Sequence, residues 1–156
     1  MLFFIGSDKM LSLEKINEYL CNELKGIDIN IFDEVTSTNT LLKEQAKNKN
    51  EWCTLVALSQ TGGKGRLGRS FYSPGNTGVY FSILLKPNLE IEKSVLITTA
   101  AAVAVTRSLE NLGCKNSRIK WVNDIFVDNK KVCGILTESV INTIKLIKEF
   151  CYKVFF

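Results

Sequence analysis

Between two apolar runs of this chain lies a stretch that suits neither helix nor strand. Gln60-Thr61-Gly62-Gly63-Lys64-Gly65-Arg66-Leu67-Gly68-Arg69-Ser70-Phe71 packs four glycines and three cations into residues 62–69. Thr54 to Ser59 before it and Val79 to Lys86 after it read as buried strands. The loop continues through Tyr72-Ser73-Pro74-Gly75-Asn76-Thr77-Gly78, so nearly twenty residues separate the strands. Connections of that length are uncommon in compact domains and usually carry function or disorder. Glycines let the backbone come close to a ligand and cations supply charge, a pairing that suits an anion such as a phosphate chain.

Composition narrows the chemistry. At 156 residues the chain suffices for one domain, burying roughly two-thirds of its unfolded surface. Hydrophobic residues at 46% and charged residues at 23% give the balance of a soluble globular protein. A net charge of +4 permits an anionic ligand without calling for nucleic acid. There is no histidine, which excludes Ser-His-Asp and Cys-His catalysis, His-ligated zinc and His general bases. Met1-Leu2-Phe3-Phe4-Ile5 is too short for a signal-peptide core, and no apolar run is long enough to span a membrane. Five scattered cysteines without a Cys-x-x-Cys pair read as reduced packing thiols. The expectation is a cytoplasmic protein.

Ser12 to Leu24 has helical spacing at Leu13, Ile16, Leu20 and Leu24, with Ser12 as N-cap and Gly26 as stop. Ile27 to Phe32 alternates as a strand does. Ser37 or Thr38 caps a helix over Thr40 to Lys47, and a hydroxyl there can also meet a ligand. Val95 to Leu112 predicts a helix ending near Gly113, with Ala100, Ala101, Ala102 and Ala104 as a small face for a sheet. Arg118 to Trp121 reads as a strand. Ile125 to Val127 and Val132 to Leu136 then read as a hairpin around Asp128-Asn129-Lys130-Lys131. The tail, 140–156, has helical spacing at Val140, Ile144, Ile147, Cys151 and Val154 and ends on two phenylalanines, as a chain cut short or read out of frame would. Mixed elements with hairpins predict an α+β fold with a mixed, mostly antiparallel sheet.

The glycine loop has rivals to answer. Gly63-x-Gly65-x-x-Gly68 formally fits a dinucleotide loop, but that motif requires a helix directly after it, and here Ser73-Pro74-Gly75 leads to a strand. A kinase loop would need His-Arg-Asp and Asp-Phe-Gly elements, which the sequence lacks, and there is no Walker motif. Lys64, Arg66 and Arg69 beside Phe71 and Tyr72 could stack nucleic acid, or the loop could be a solvated linker. A second constellation favours a ligand site: Lys120-Trp121-Val122-Asn123-Asp124, then Lys131 and Gly134. Taken alone these are a turn and a hairpin lysine. Beside the loop they add a carboxylate, an amide and a further cation.

Together the two stretches resemble biotin protein ligases. The family's Gly-Arg-Gly-Arg-x-Gly-Arg-x-Trp appears as Gly63 to Phe71, its Lys-Trp-Pro-Asn-Asp as Lys120 to Asp124, and its Lys-x-x-Gly-Ile-Leu as Lys131 to Leu136. Ser37-Thr38-Asn39 and Gln60 also fall where the family has Ser-Thr-Asn and a Gln, so the likeness runs from about Leu11 to Glu138. The resemblance implies a class II synthetase-like α+β fold with helices on one face of the sheet, incomplete at the C-terminus. It divides the chain into a catalytic core, 1–139, and a divergent apolar tail, 140–156, with neither a helix-turn-helix nor a C-terminal β-barrel domain. The implied activity is ATP- and Mg²⁺-dependent activation of biotin to biotinyl-5′-AMP, then transfer to a lysine of a biotin carboxyl carrier protein.

The roles carried over are as follows. Ser37, Thr38 and Gln60 hydrogen-bond the biotin ring beside backbone of Gly63 and Gly134. Arg66 and Arg69 hold the biotin carboxylate and ATP phosphates with Lys64. Lys131 neutralises charge at the reacting groups, Asn123 and Asp124 place nucleotide and Mg²⁺ beside Lys120, and Phe71 faces the adenylate. Arg66, Lys131 and Asp124 are the catalytic set, with Asp124 nominated as base for the acceptor amine and no dedicated metal site. Partners would include neither DNA nor a membrane, and a homodimer is left open. Three substitutions depart from the family pattern: Lys64 for Arg loses the bidentate fork, Phe71 for Trp shrinks the ring, and Val122 for Pro loosens a turn. The family's Gly-x-Gly-Ile-Asn strand is missing after Glu138. A weakly active or non-catalytic fragment is thus an alternative, and a lipoate ligase a more distant one.

Overall fold

The computed structural model describes residues 11–87, 93–142 and 145–151. Met1 to Ile5 and the terminal phenylalanines lie outside these. Ser12 caps α1 (Leu13–Tyr19), its side chain accepting from Lys15 N. The expected single helix to Leu24 instead breaks at Leu20, and a separate 3-10 turn covers Asn22–Leu24. No residue of α1 is buried, so no packing sustains a longer helix. Gly26 then turns the chain at φ +86°.

Strand β1 (Ile29–Val35) leads through Ser37 into α2 (Thr38–Gln45) and on to β2 (Thr54–Gln60), which pairs parallel with β1. A parallel pair needs a crossover, and α2 with the 3-10 turn Ala46–Asn48 supplies it. Strand β3 (Tyr80–Leu85) pairs antiparallel with β2. Its alternation gives it two covered faces. Ser82 and Leu84 are fully buried on the α2 side, where Leu84 joins Leu42, Ala46, Cys53 and Leu55. Phe81, Ile83 and Leu85 pack into a second core of Ala102, Val105, Leu109, Ile125, Cys133 and Ile135. The α+β class with a mixed sheet is as expected: α2 lies over one face of β3, and the core shared by α3, β5 and β6 meets the other.

Helix α3 (Ser94–Asn111) ends as anticipated, with Gly113 at φ +93°. Its buried stripe is Ala102, Val105 and Leu109, whereas Ala100 and Ala104 are exposed. A 3.6-residue period aligns every third or fourth position, so a run of adjacent alanines cannot share one face. A separate three-stranded antiparallel sheet follows: β4 (Ser117–Lys120), β5 (Asp124–Val127) and β6 (Lys130–Gly134). The β5–β6 turn is tighter than the four residues expected. Asp128 and Asn129 take φ of 49° and 64°, a two-residue turn that suits the strand twist.

The described part of the tail, 140–142 and 145–151, is not helical, and Ile144 and Val154 lie outside the described residues. β7 (Glu138–Asn142) and β8 (Lys145–Cys151) form an antiparallel hairpin, and β8 pairs with β3, Leu84 opposite Cys151 and Leu85 opposite Phe150. The larger sheet thus runs β1-β2-β3-β8-β7. Apolar spacing alone does not separate helix from strand in so short a segment; a strand edge waiting on β3 does. No helix among the described residues is long and apolar enough to cross a membrane. Among the described residues Cys21, Cys53, Cys114 and Cys133 form no disulfide, and burial together with Asp28 pushes Cys53 up to about 11, as befits a packing residue.

Leu84 is fully buried in the α2 core. Leu84→Ala is expected to lower unfolding free energy by about 2–5 kcal/mol in urea titration; a loss under about 1 kcal/mol would show that this core is not closed.

Candidate active site

The glycine loop is a folded element. Lys64 and Ser70 form a bridge, as do Gln60 and Ser73. Gly65 N donates to Arg69 O at 2.7 Å, and Phe71 N to Gly63 O at 2.7 Å. At its tip Leu67 and Gly68 take φ of 57° and 72°. Gly62 answers a different demand: a β-carbon there would stand 2.8 Å from Thr36 Cγ2, so only glycine lets the loop leave β2 against that turn.

This loop and the β5–β6 hairpin face each other across a cleft of about 320 Å³. Lys64, Gly65, Arg66, Arg69 and Phe71 line one side, and Asn123, Asp124, Lys131, Gly134 and Leu136 the other. Arg66 Nη1 donates to Asn123 Oδ1 at 2.9 Å, tying residues far apart in sequence. Asn123 is itself held, its Nδ2 donating to Ile135 O at 3.1 Å and its carbonyl accepting from Ile135 N at 2.8 Å. Lys131 Nζ lies 2.8 Å from Asp124 Oδ1, which fixes the ammonium on the cleft floor. Four cations, Lys64, Arg66, Arg69 and Lys131, face one carboxylate, Asp124, among the described lining residues. Such an excess suits an anion whose charge grows during reaction.

Not every expected residue lies here. Lys120 is absent from the cleft lining; its Nζ sits 5.7 Å over the Phe126 ring, on the outer face of the small sheet. Ser37, Thr38 and Gln60 are buried behind the loop. Ser37 caps α2, accepting from Thr40 N. Gln60 Oε1 accepts from Thr38 N at 3.0 Å, and its Nε2 donates to Ser73 Oγ at 3.1 Å. Thr38 Oγ1 lies 2.7 Å from Ser82 Oγ. These residues form a polar cluster that adjoins the loop through Ser73, whose hydroxyl donates to Phe71 O at 3.2 Å.

Sequence reasoning missed the residues behind that cluster. Asn39 Nδ2 donates to Glu138 Oε2 at 2.9 Å, and Lys43 Nζ to Glu138 Oε1 at 2.7 Å. Burial works to raise the Glu138 carboxyl, but Lys43, Asn39 and the charge of Lys64 outweigh it and hold it below its ordinary value. Only the i, i+4 spacing of Asn39 and Lys43 hinted at a common partner.

Residues 31–153 match the biotin/lipoate A/B protein ligase family. The chain is 38% identical over 129 residues to the bifunctional ligase/repressor BirA of Bacillus subtilis, covering 82% of this chain and 40% of that protein. The Escherichia coli BirA is 25% identical over 119 residues, covering 76% and 37%. Among solved structures, the biotin protein ligase of Aquifex aeolicus in complex with biotin and ATP superposes with TM-score 0.69 at 33% identity, covering 82% of this chain and 51% of that one. The Leishmania major biotin protein ligase with biotinyl-5-AMP gives 0.61 at 26% identity, covering 82% and 56%. The chain therefore spans about 40% of the length of the curated relatives it matches.

Two outcomes follow from the site's geometry. Asn123→Ala releases Arg66, and tryptic cleavage within residues 64–69 should quicken by up to about tenfold, the worth of one hydrogen bond; unchanged cleavage would show that the pair does not hold the loop. For Glu138 the folded value is lowered, so its stabilisation is present above the unfolded carboxylate range and is lost as pH falls through the lowered value. Glu138→Gln should remove that part of the acid dependence of unfolding, and an unaltered acid limb would contradict the assignment.

Proposed function

The chain belongs to the biotin/lipoate A/B protein ligase family, and from that premise we propose that it activates biotin with ATP and passes the biotinyl group to a lysine of a carrier protein. The observation that carries this reading is the cleft itself, where the loop cations meet Asn123, Asp124 and Lys131. In the first half-reaction a biotin carboxylate oxygen bonds to the α-phosphorus and the bond to the bridging oxygen breaks, releasing pyrophosphate. Two anions must be forced together, so positioning and charge neutralisation are the main requirements. Arg66, Arg69 and Lys64 receive the phosphates and the biotin carboxylate, Lys131 stands where charge builds, and Phe71 offers an aromatic face to the adenylate.

In the second half-reaction the acceptor amine attacks the acyl carbon and AMP leaves with the electron pair of the C–O bond. The amine's proton needs an acceptor, and Asp124 is the carboxylate lining the cleft. No histidine is required at either step. Ser37, Thr38 and Gln60, with backbone of Gly63 and Gly134, take the polar ring of biotin. Gln60 Nε2 has two hydrogens and gives one to Ser73, which leaves a donor for the ligand. A polar end of this kind suits a ureido ring better than the apolar dithiolane of lipoate.

Among the described residues no group of three or more His, Cys, Asp or Glu could cage a metal. Magnesium, which supplies further charge neutralisation when bound, would ride on the ATP phosphates with Asp124 and Asn123 nearby, as is usual for this ion. The carrier is a biotin carboxyl carrier protein and the setting cytoplasmic in this reading.

Incubation with biotin, Mg-ATP and a carrier domain should release pyrophosphate and yield biotinyl-carrier. No turnover together with no thermal shift on adding biotin would overturn the reading; turnover with lipoate alone would replace it. Lys131→Ala is expected to slow adenylate formation by about 10²-fold while biotin affinity changes far less. Equal losses in both would remove its charge-neutralising role.

A further inference from the structure

A buried polar chain runs between α2 and β3, and of its members the reaction scheme uses only Thr38 and Gln60. It starts at the partly exposed pair of Lys43 and Glu138, 2.7 Å apart, on α2 and β7. It passes through Asn39 to Ser82, whose hydroxyl donates to Asn39 Oδ1 and lies 2.7 Å from Thr38 Oγ1. From Thr38 it reaches Gln60, Ser73 and the carbonyl of Phe71. Asn39, Thr38 and Ser82 have no exposed surface, and Gln60 and Ser73 have 6% and 3%.

Hydrogen-bond capacity gives the chain a direction. Asn39 Oδ1 can only accept, and Asn39 cannot flip without turning its oxygen toward Glu138 Oε2 and Leu136 O, which its Nδ2 now serves at 2.9 and 3.4 Å. Ser82 has one proton, and Asn39 claims it. The Thr38 hydroxyl, which can give as well as take, then directs its own proton to Ser82, because their 2.7 Å contact needs one, while Gln60 Oε1 stands farther off at 3.4 Å. Its rotation is thereby restricted, and its oxygen keeps acceptor capacity. Gln60 is turned by the same contacts and in turn places Ser73 under the root of the glycine loop.

We propose that Ser82, backed by Asn39 and Glu138, is a positioning residue that orients Thr38 and Gln60 toward the ligand and anchors the root of the glycine loop. The ligand half of this inference rests on the biotin reading above, and the loop half does not. Glu138 stands at the start of the β7–β8 hairpin, so the chain also links the C-terminal strands to the site.

Ser82→Ala tests both halves. Amide hydrogen exchange on the ligand-free protein should quicken about tenfold at Gly65 and Phe71, whose N–H groups close the loop, and stay unchanged at Ile135 in the small sheet. In the ligase assay the biotin KM should rise about tenfold while the ATP KM stays within about twofold. Glu138→Gln, at a residue with a quarter of its side chain exposed, should show the same pattern more weakly and guards against a misfolded Ser82 variant. Exchange that quickens uniformly, or not at all, overturns the proposal, as does a parallel rise of both KM values. If the unaltered protein makes no adenylate, the functional reading fails and the exchange pattern still decides whether Ser82 positions the loop.

Discussion

The pleat of β3 is the constraint on which the rest of this structure depends. Successive side chains of a strand must point to opposite faces, so Tyr80 to Leu85 has to be covered twice. Leu84 joins the core under α2, while Phe81, Ile83 and Leu85 join the core that α3 shares with β5 and β6. Its two edges are also committed, one to β2 and the other to β8. The two halves of the cleft therefore hang from one strand: the loop root enters beside Gln60 on β2, and the small sheet is held by α3. Ser82 puts a hydroxyl in the middle of that arrangement, where an apolar residue would remove the hydrogen bond that Asn39 Oδ1 receives from it, worth about 0.5–1.5 kcal/mol.

The cleft concentrates like charge, which opposes its own assembly. Lys64, Arg66, Arg69 and Lys131 would separate if their side chains were free. Two of them are held by specific partners, Arg66 by Asn123 and Lys131 by Asp124. Both partners belong to the segment where Ile135 N donates to Asn123 O and Asn123 Nδ2 donates to Ile135 O. Exposed ion pairs contribute little stability, so these contacts matter chiefly for where they place charge. An anion bound among these cations would relieve that repulsion.

Much of this could be read from residue order. The glycine loop between two strands, the stop at Gly113, the cap at Ser37 and the hairpin at Asp128-Asn129 all stand where local chemistry put them. The residues at Gly63 to Phe71 and Lys120 to Leu136 carried the family likeness without any coordinates. Other features needed the fold. The α1 region has helical spacing to Leu24, yet with no face buried the helix stops at Tyr19. The tail has helical apolar spacing, yet its described residues are strands, one of them paired to the edge of β3. Lys120 shares a motif with Asp124 and stands opposite it in the β4–β5 register, yet its ammonium reaches over Phe126 and not into the cleft.

By itself, then, the sequence determined the chemical inventory: no histidine, clustered cations, glycines where backbone must turn or approach, and a family's pattern of side chains in order. Those properties are local, because they depend on residue type and near neighbours. Only the tertiary structure decided which of these groups meet. Arg66 finds Asn123, and Glu138 finds Asn39 and Lys43, across long separations in the chain. Such pairings follow from strand order and from which face of each strand is buried, and neither is encoded within any single segment.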